Sequence, residues 1–193
     1  MASTPEEATK ILTFAKRWGN VTIAVNHSRR WDPFWQKVVS QVKSRIGAVQ
    51  DFVGIFSGDL MSVGVHMADL ANWFGAKHPY LINSPGDYLL FEVQVMGKRG
   101  RLTVVNNGQR AEWDSPMPSM RFQGYSELIG VSDMTRSDIG VFNADMKTPI
   151  LRACEDMIEC VNAKKPGRRA GKMPRCTGAD GRKAMETLFD KAN

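Results

Sequence analysis

Three side chains that could handle a proton or a hydroxyl group lie at helical spacing in one stretch of the sequence: Ser62, His66 and Asp69. An imidazole near its reference pKa of about 6.5 exchanges a proton at neutral pH. A carboxylate one helical turn away can orient that imidazole, so His66 and Asp69 form a candidate acid-base pair. The same spacing also fits a half-buried histidine beside the apolar face of an ordinary helix, and both interpretations remain open.

A second candidate site follows a short apolar run, residues 21–25, in the basic turn Arg29-Arg30-Trp31. A guanidinium can hold a carboxylate or a phosphate through two parallel hydrogen bonds, which makes Arg30 a candidate for substrate binding. The alternative is a solvated basic turn in which Trp31 only packs.

A third cluster is basic and lies near the end of the chain. Six cations fall within twelve positions, which would suit a phosphate backbone, but the cluster has no interleaved aromatic side chains for base stacking. We interpret it as a solvated loop, and we keep as the alternative function a non-catalytic binding module whose basic loop contacts nucleic acid or an acidic partner. The six residues are Lys164, Lys165, Arg168, Arg169, Lys172 and Arg175.

Length and composition indicate the class of protein to which these candidate sites belong. The chain has 193 residues, 42% hydrophobic and 24% charged, and a net charge of +6, values typical of one globular domain or one domain with an appendage. No apolar stretch reaches the roughly 18 residues of a membrane span, and the start has no signal-peptide pattern, so we expect a cytoplasmic protein. Cys154, Cys160 and Cys176 lack metal-ligand spacing, so we expect no metal site and three reduced thiols, two of them packed.

The first elements form an odd pair. Thr4, Pro5 and the following glutamates predict the start of a helix that ends near Gly19. The next segment, Val21 to Val25, is a continuous β-branched run that predicts a strand buried on both faces, as in a parallel sheet. One helix and one such strand cannot cover each other, so they resemble the last piece of a larger sheet.

The middle of the chain alternates helices and strands. Helices are predicted from Pro33 or Phe34 to Arg45 and between Gly58 and Gly75, with a strand over residues 49–56 between them. An antiparallel meander follows over residues 89–113, with a tight hairpin at Asn107-Gly108. Residues 77–79 are predicted to be a plain loop.

The last third is less regular. One or two strands are predicted around residues 121–131, followed by a long loop that holds Asp133 to Asp138. A helix starting at Thr148-Pro149 is predicted to turn its apolar residues inward, and a short helix over residues 180–191 completes the chain. The inward residues are Ile150, Leu151, Cys154, Met157, Ile158 and Val161.

Four strings stand out together: Pro5-Glu6-Glu7-Ala8, Val25-Asn26-His27-Ser28-Arg29-Arg30-Trp31-Asp32-Pro33, Ile46-Gly47 and Gly64-Val65-His66-Met67-Ala68-Asp69. They resemble the glucose-fructose oxidoreductase / inositol dehydrogenase / MocA family of NAD(P)-dependent oxidoreductases over nearly the whole chain. The resemblance implies an α+β fold: a large, mostly antiparallel open sheet with helices on one face, preceded by a remnant helix and strand of a Rossmann domain. Residues 1–27 would be that remnant, and residues 28–193 the C-terminal substrate and oligomerisation domain.

The nucleotide-binding domain of that family has no counterpart in this sequence beyond its last helix and strand. A dinucleotide fold needs a glycine-rich turn between a strand and a helix, and the Gly97–Gly100 turn has the wrong spacing. The resemblance places the family's catalytic lysine before Met1. We therefore expect NAD or NADP to serve a full-length parent, and we expect neither to bind tightly to this chain alone.

The resemblance also implies roles for individual residues. His66 matches the family's substrate-site histidine, with Asp69 as its partner, while Ser62 stands where many members have an aspartate and is assigned to substrate binding with Arg30. The segment of Asn26, Arg29 and Trp31 would face the nicotinamide cofactor. These assignments predict an oxidoreductase domain for a sugar, polyol or nucleotide-sugar-like substrate, inactive alone and assembled as a homo-oligomer through its sheet face.

Overall fold

The computed structural model describes residues 2–19, 21–140, 147–163 and 172–192. The chain divides into two compact units. Residues 33–144 form the sheet unit, and residues 1–32 with 145–193 form the helical unit. This division differs from the predicted boundary after residue 27, because the C-terminal helices pack with the N-terminal segment.

The sheet unit is built on six strands in the order β2-β1-β3-β4-β5-β6. All neighbours are antiparallel except β1 and β2, which run parallel from the Phe52–Pro79 pair to the Ser57–Ser84 pair. The strands are β1 (Val49–Ser57), β2 (Pro79–Ser84), β3 (Phe91–Gly97), β4 (Gly100–Val105), β5 (Arg110–Pro118) and β6 (Ser126–Thr135).

Two helices of the sheet unit, α2 (Pro33–Arg45) and α3 (Val65–Phe74), cover one face of the sheet. The strands alternate as a half-buried sheet requires: Phe91, Val93 and Val95 of β3 are buried, while the residues between them stay partly exposed. Trp35 of α2 meets Phe91 edge-on, with ring centroids 6.3 Å apart. The predicted α+β class, with an open antiparallel sheet and helices on one face, is confirmed.

The helical unit contains three helices: α1 (Pro5–Arg17), α4 (Lys147–Ala163) and α5 (Gly178–Ala192). The predicted start of α1 is confirmed, since Thr4 Oγ1 accepts a hydrogen bond from the Glu7 amide at 3.2 Å. α1 packs against α5, and α4 packs against a short 3₁₀ turn, Ser28–Trp31. No helix among the described residues is long and apolar enough to cross a membrane.

The predicted strand over Val21 to Val25 is wrong. The segment is extended, but its one bridge among the described residues joins Ala24 to Thr177 in antiparallel fashion, and Val21 is 54% exposed. A β-branched run becomes a strand only where neighbours supply backbone partners, and in the described part of the chain that partner is the short segment before α5.

The predicted orientation of α4 is also wrong. Its exposed residues include Leu151, Ile158 and Val161, whereas Asp156 and Cys160 are buried. Asp156 accepts hydrogen bonds from Trp31 and Arg175 inside the helical unit. Because these bonds hold the Asp156 side of the helix inward, the apolar side faces outward. The prediction of two packed thiols is confirmed, since Cys160 and Cys176 are buried and Cys154 is exposed.

Three smaller predictions on the sheet unit also need correction. Pro79 begins strand β2 instead of lying in a plain loop, and Asp133 lies within β6 instead of a long loop. The β4–β5 connection is a four-residue loop in which Asn106 and Asn107 both adopt positive φ. Asn107 stabilises it by accepting a hydrogen bond from the Phe91 amide at 2.7 Å.

Candidate functional site

The segment before α3 contains a π-helical turn, Leu60–Gly64. Asp59 caps this turn, because its Oδ1 accepts hydrogen bonds from the amides of Met61 at 2.8 Å and Ser62 at 2.9 Å. The Gly64 amide reaches back five residues to the Asp59 carbonyl at 3.3 Å, which widens the turn. Such turns are rare and often occur at functional sites.

This widened turn places the three sequence-predicted residues of the sheet unit. Ser62 lies in the turn and is exposed, His66 is half-buried in the first turn of α3, and Asp69 is buried at 2% exposure. His66 and Asp69 are three residues apart on α3, so they are neighbours on the helix surface. The structure therefore arranges an exposed hydroxyl, a half-buried imidazole and a buried carboxylate along one short helical stretch.

A glycine on the sheet sets how closely α3 approaches. A Cβ atom at Gly54 of β1 would lie 2.5 Å from Cγ of Met67 and 3.1 Å from Cε1 of Phe52. Only glycine lets Met67 settle against the strand at this distance. Since Met67 follows His66 directly, the position of the candidate imidazole depends on this contact.

The other sequence-predicted residues belong to the helical unit, next to or within the 3₁₀ turn. Asn26 and Arg29 are both accessible to solvent. The guanidinium of Arg30 lies 3.6 Å from a carboxylate oxygen of Asp180, and the Arg30 side chain is only 12% exposed. Arg30 therefore already has an anionic partner from α5.

Trp31 is buried at 2% exposure. Its indole Nε1 donates a hydrogen bond to Asp156 Oδ2 at 3.2 Å. The same carboxylate accepts the Arg175 amide at 2.8 Å and pairs with the Lys172 ammonium at 2.9 Å. Burial acts to raise the Asp156 pKa, but these donors outweigh it and hold the pKa below its usual value.

The sequence patterns assigned no role to His27, which the structure buries. It is 3% exposed, and burial, followed by the nearby positive charge of Arg30, lowers its pKa to about 4. A ring nitrogen of His27 and Sγ of Cys176 lie within 4.8 Å of each other. The signal available in the sequence was its position two residues after the apolar run of residues 21–25.

The basic cluster is only partly described. Lys164, Lys165, Arg168 and Arg169 lie outside the described residues. Lys172 contacts the carboxylates of Asp156 and Glu159, and these contacts raise its pKa. Lys172 of the basic cluster therefore already pairs with carboxylates of the same chain.

The resemblance implies cofactor contacts at Asn26, Arg29 and Trp31. No glycine-rich turn joins a strand to a helix within residues 2–19, 21–140, 147–163 and 172–192, and Trp31 lies inside the helical unit. Asn26 and Arg29 are the accessible members of the predicted cofactor contacts.

Comparison with solved structures gives close matches of fold at low sequence identity. A dehydrogenase from Chromobacterium violaceum matches with a TM-score of 0.73 and 10% identity, covering 99% of this chain and 66% of that one. UDP-N-acetylglucosamine 3-dehydrogenase from Acidithiobacillus ferrooxidans matches with 0.60 and 12%, covering 97% and 65%. Levoglucosan dehydrogenase in complex with NADH matches with 0.65 and 11%, covering 99% and 69%.

This chain thus spans about two thirds of the length of the structures it matches. No family model matches the sequence, and no curated protein matches it either. The resemblance stated from the sequence motifs is confirmed at the level of the fold: over nearly its whole length, the chain has the fold of oxidoreductases of the glucose-fructose oxidoreductase / inositol dehydrogenase / MocA type.

Proposed function

We propose that this chain is the substrate-binding and oligomerisation domain of an NAD(P)-dependent oxidoreductase acting on a sugar, polyol or nucleotide-sugar-like substrate. The observation that carries the proposal is the fold match over 99% of the chain to proteins named as sugar or general dehydrogenases. Because one fold hosts many chemistries, the proposal also needs the site, where Ser62, His66 and Asp69 supply groups suited to a hydroxylated substrate.

The three side chains divide the work by their chemistry. A neutral imidazole at His66 accepts the proton of a substrate hydroxyl, and buried Asp69 holds the ring in place. The hydroxyl of exposed Ser62 donates to the Asp59 carbonyl at 3.4 Å, so its oxygen remains as an acceptor for a neighbouring hydroxyl. A serine takes up no proton near neutral pH, so His66 alone exchanges the proton in this arrangement.

The proposal includes a division of labour within a larger enzyme. NAD or NADP supplies the hydride acceptor in the parent, and this chain by itself neither holds that cofactor tightly nor turns over substrate. Support comes from the sequence, which contains no glycine-rich phosphate-binding turn between a strand and a helix.

Self-association through the open face of the sheet is the second part of the proposal. Opposite the helices, that face carries exposed Tyr80 and Ile82 of β2 beside Val53 and Ile55 of β1. Paired ions occupy its other half, where Arg110 of β5 meets Asp133 of β6 at 3.1 Å. A face with apolar and compensated charged parts suits contact with a second copy.

Calorimetric titration of the chain with UDP-N-acetylglucosamine, levoglucosan and NADH tests the proposal. We expect saturable binding of at least one of the two sugars and no saturable binding of NADH below millimolar concentration. If neither sugar binds, the proposed role in substrate binding is contradicted. If NADH binds tightly, the proposal that the cofactor requires another domain is contradicted.

The matched variants are His66→Ala and His78→Ala. Both remove an imidazole from the sheet unit, but His78 is exposed and lies outside the candidate site. Loss of sugar binding in the first variant only, by tenfold or more, is the expected result. Equal sugar affinities of the two variants would show that His66 does not take part in sugar binding.

A further inference from the structure

An exposed apolar segment of the sheet unit is a β-hairpin that projects beyond the sheet. β4 pairs with β5 only from Arg110 to Asp114, so the rest of β5 and the first half of β6 pair solely with each other among the described residues. We call residues 115–131 the arm. Its loop is closed by a hydrogen bond from the Ser119 amide to the Tyr125 carbonyl at 2.9 Å.

The arm is apolar on both of its faces. Met117 and Ile129 lie on one face, and Leu128, which pairs with Pro116, lies on the other. All of these apolar side chains are exposed, and the tip adds more. The exposed fractions are Met117 47%, Met120 101%, Phe122 62%, Tyr125 75%, Leu128 43%, Ile129 46% and Val131 55%.

Charge is nearly absent from the arm. Its seventeen residues hold two charges, Arg121 and Glu127, which cancel, in a chain that carries +6 overall. A strongly acidic or nucleic-acid partner would select a basic surface, and the arm is not one. A neutral arm instead lets two copies of a cationic chain meet without direct repulsion.

The edge of the sheet adds a self-complementary feature. β6 is a terminal strand ten residues long, and its sequence contains no lysine, arginine or proline. Natural proteins commonly protect exposed edges with such residues or with very short strands. A strand edge pairs antiparallel with its own copy around a two-fold axis, so β6 needs no different partner.

We propose that the arm and the outer edge of β6 form a two-fold interface with a second copy of this chain. The pairing places each arm beside the C-terminal half of the other copy's β6, so that apolar side chains of the two edges pack against each other across the interface. The arm together with the rest of β6, residues 115–135, reaches the roughly 20 to 30 residues per side of a stable interface. This surface is separate from the open face of the sheet and from the Ser62–His66 region.

Light scattering coupled to gel filtration, over a hundredfold range of protein concentration, tests the interface. The arm variant is Met120→Ser with Phe122→Ser, two exposed positions at the tip where substitution leaves the core untouched. We expect the wild-type chain to be at least dimeric, and we expect the arm variant to raise the dimer dissociation constant at least tenfold. Circular dichroism confirms that both chains are folded.

Two further variants decide the specificity of the effect. Leu151→Ser with Ile158→Ser removes two exposed apolar side chains from α4 and should leave the mass unchanged. Tyr80→Lys with Ile82→Lys disrupts the open sheet face and should leave the arm-mediated dimer. A monomeric wild type, an arm variant with wild-type mass, or dissociation by the sheet-face variant alone would each overturn the proposal.

Discussion

The buried carboxylate of Asp156 accepts a hydrogen bond from the indole of Trp31 across 125 positions of sequence, with 3.2 Å between Oδ2 and Nε1. This contact joins the 3₁₀ turn to α4 inside the helical unit. It also explains why α4 exposes its apolar side. A surface helix buries only one side, and here that side carries the hydrogen-bonded Asp156, so Leu151 and Ile158 on the opposite side are exposed.

Asp156→Ala should therefore destabilise the chain strongly. The substitution leaves the buried indole N–H of Trp31 and the amide of Arg175 without their acceptor, and we expect a loss of about 3 kcal/mol in unfolding free energy. Asp156→Asn retains an acceptor and should cost less. Urea unfolding measures both.

The control for that experiment lies one residue away. Glu155 occupies the exposed side of the same helix, so Glu155→Ala should shift the urea midpoint little. Equal midpoints for Asp156→Ala and Glu155→Ala would show that the anchor contributes nothing to stability.

His27 should make stability depend on pH in a defined window. Burial lowers its pKa from 6.5 to about 4 in the folded chain. Between these values the unfolded chain binds more protons, so stability falls as the pH drops from 6.5 towards 4, and this residue has no effect above that range. The full pKa shift corresponds to a change of about 3 kcal/mol in the free energy of unfolding.

Comparing the wild type with His27→Gln isolates this contribution, since other groups titrate equally in both chains. The stability difference between the two should narrow or reverse as the pH falls from 7 to 4. A stability difference between the wild type and His27→Gln that stays constant over this pH range would contradict a neutral buried imidazole.

Gly54→Ala should push α3 away from β1. The new methyl group would meet Met67 Cγ at 2.5 Å, and overpacking of this kind costs about 2 kcal/mol. Thermal unfolding of Gly54→Ala, Met67→Ala and the double variant forms a cycle in which the clash is relieved when Met67 is shortened.

Gly130→Ala provides the comparison, because its Cβ would meet only Asp114 Oδ1, at 3.6 Å. We expect little change there. Strict additivity in the Gly54 and Met67 cycle would mean that the close approach of α3 does not depend on the glycine.

Local patterns predicted the helices and the central strands well, because their signals lie within a few residues. Thr4 and Pro5 start α1, and the alternation from Phe91 to Val95 marks a strand with one buried face. The resemblance motifs also led to the correct fold, since the six-stranded open sheet and the matches to solved structures agree with it.

The errors share a physical origin in partners that are distant in sequence. Whether Val21 to Val25 becomes a strand depends on neighbouring strands, and which side of α4 is buried depends on Trp31 and Arg175. The low pKa of His27 likewise results from tertiary burial. No window of sequence around these residues contains that information.

The role of His66 in binding a sugar is the central claim, and the chain's histidine count makes it directly measurable. Only three imidazoles are present, His27, His66 and His78, so their NMR signals can be assigned by single substitution to glutamine. Titration with UDP-N-acetylglucosamine or levoglucosan should shift the His66 signal saturably and leave that of His78 in place. A titration in which the His66 signal does not move, or moves no more than that of His78, would contradict the account.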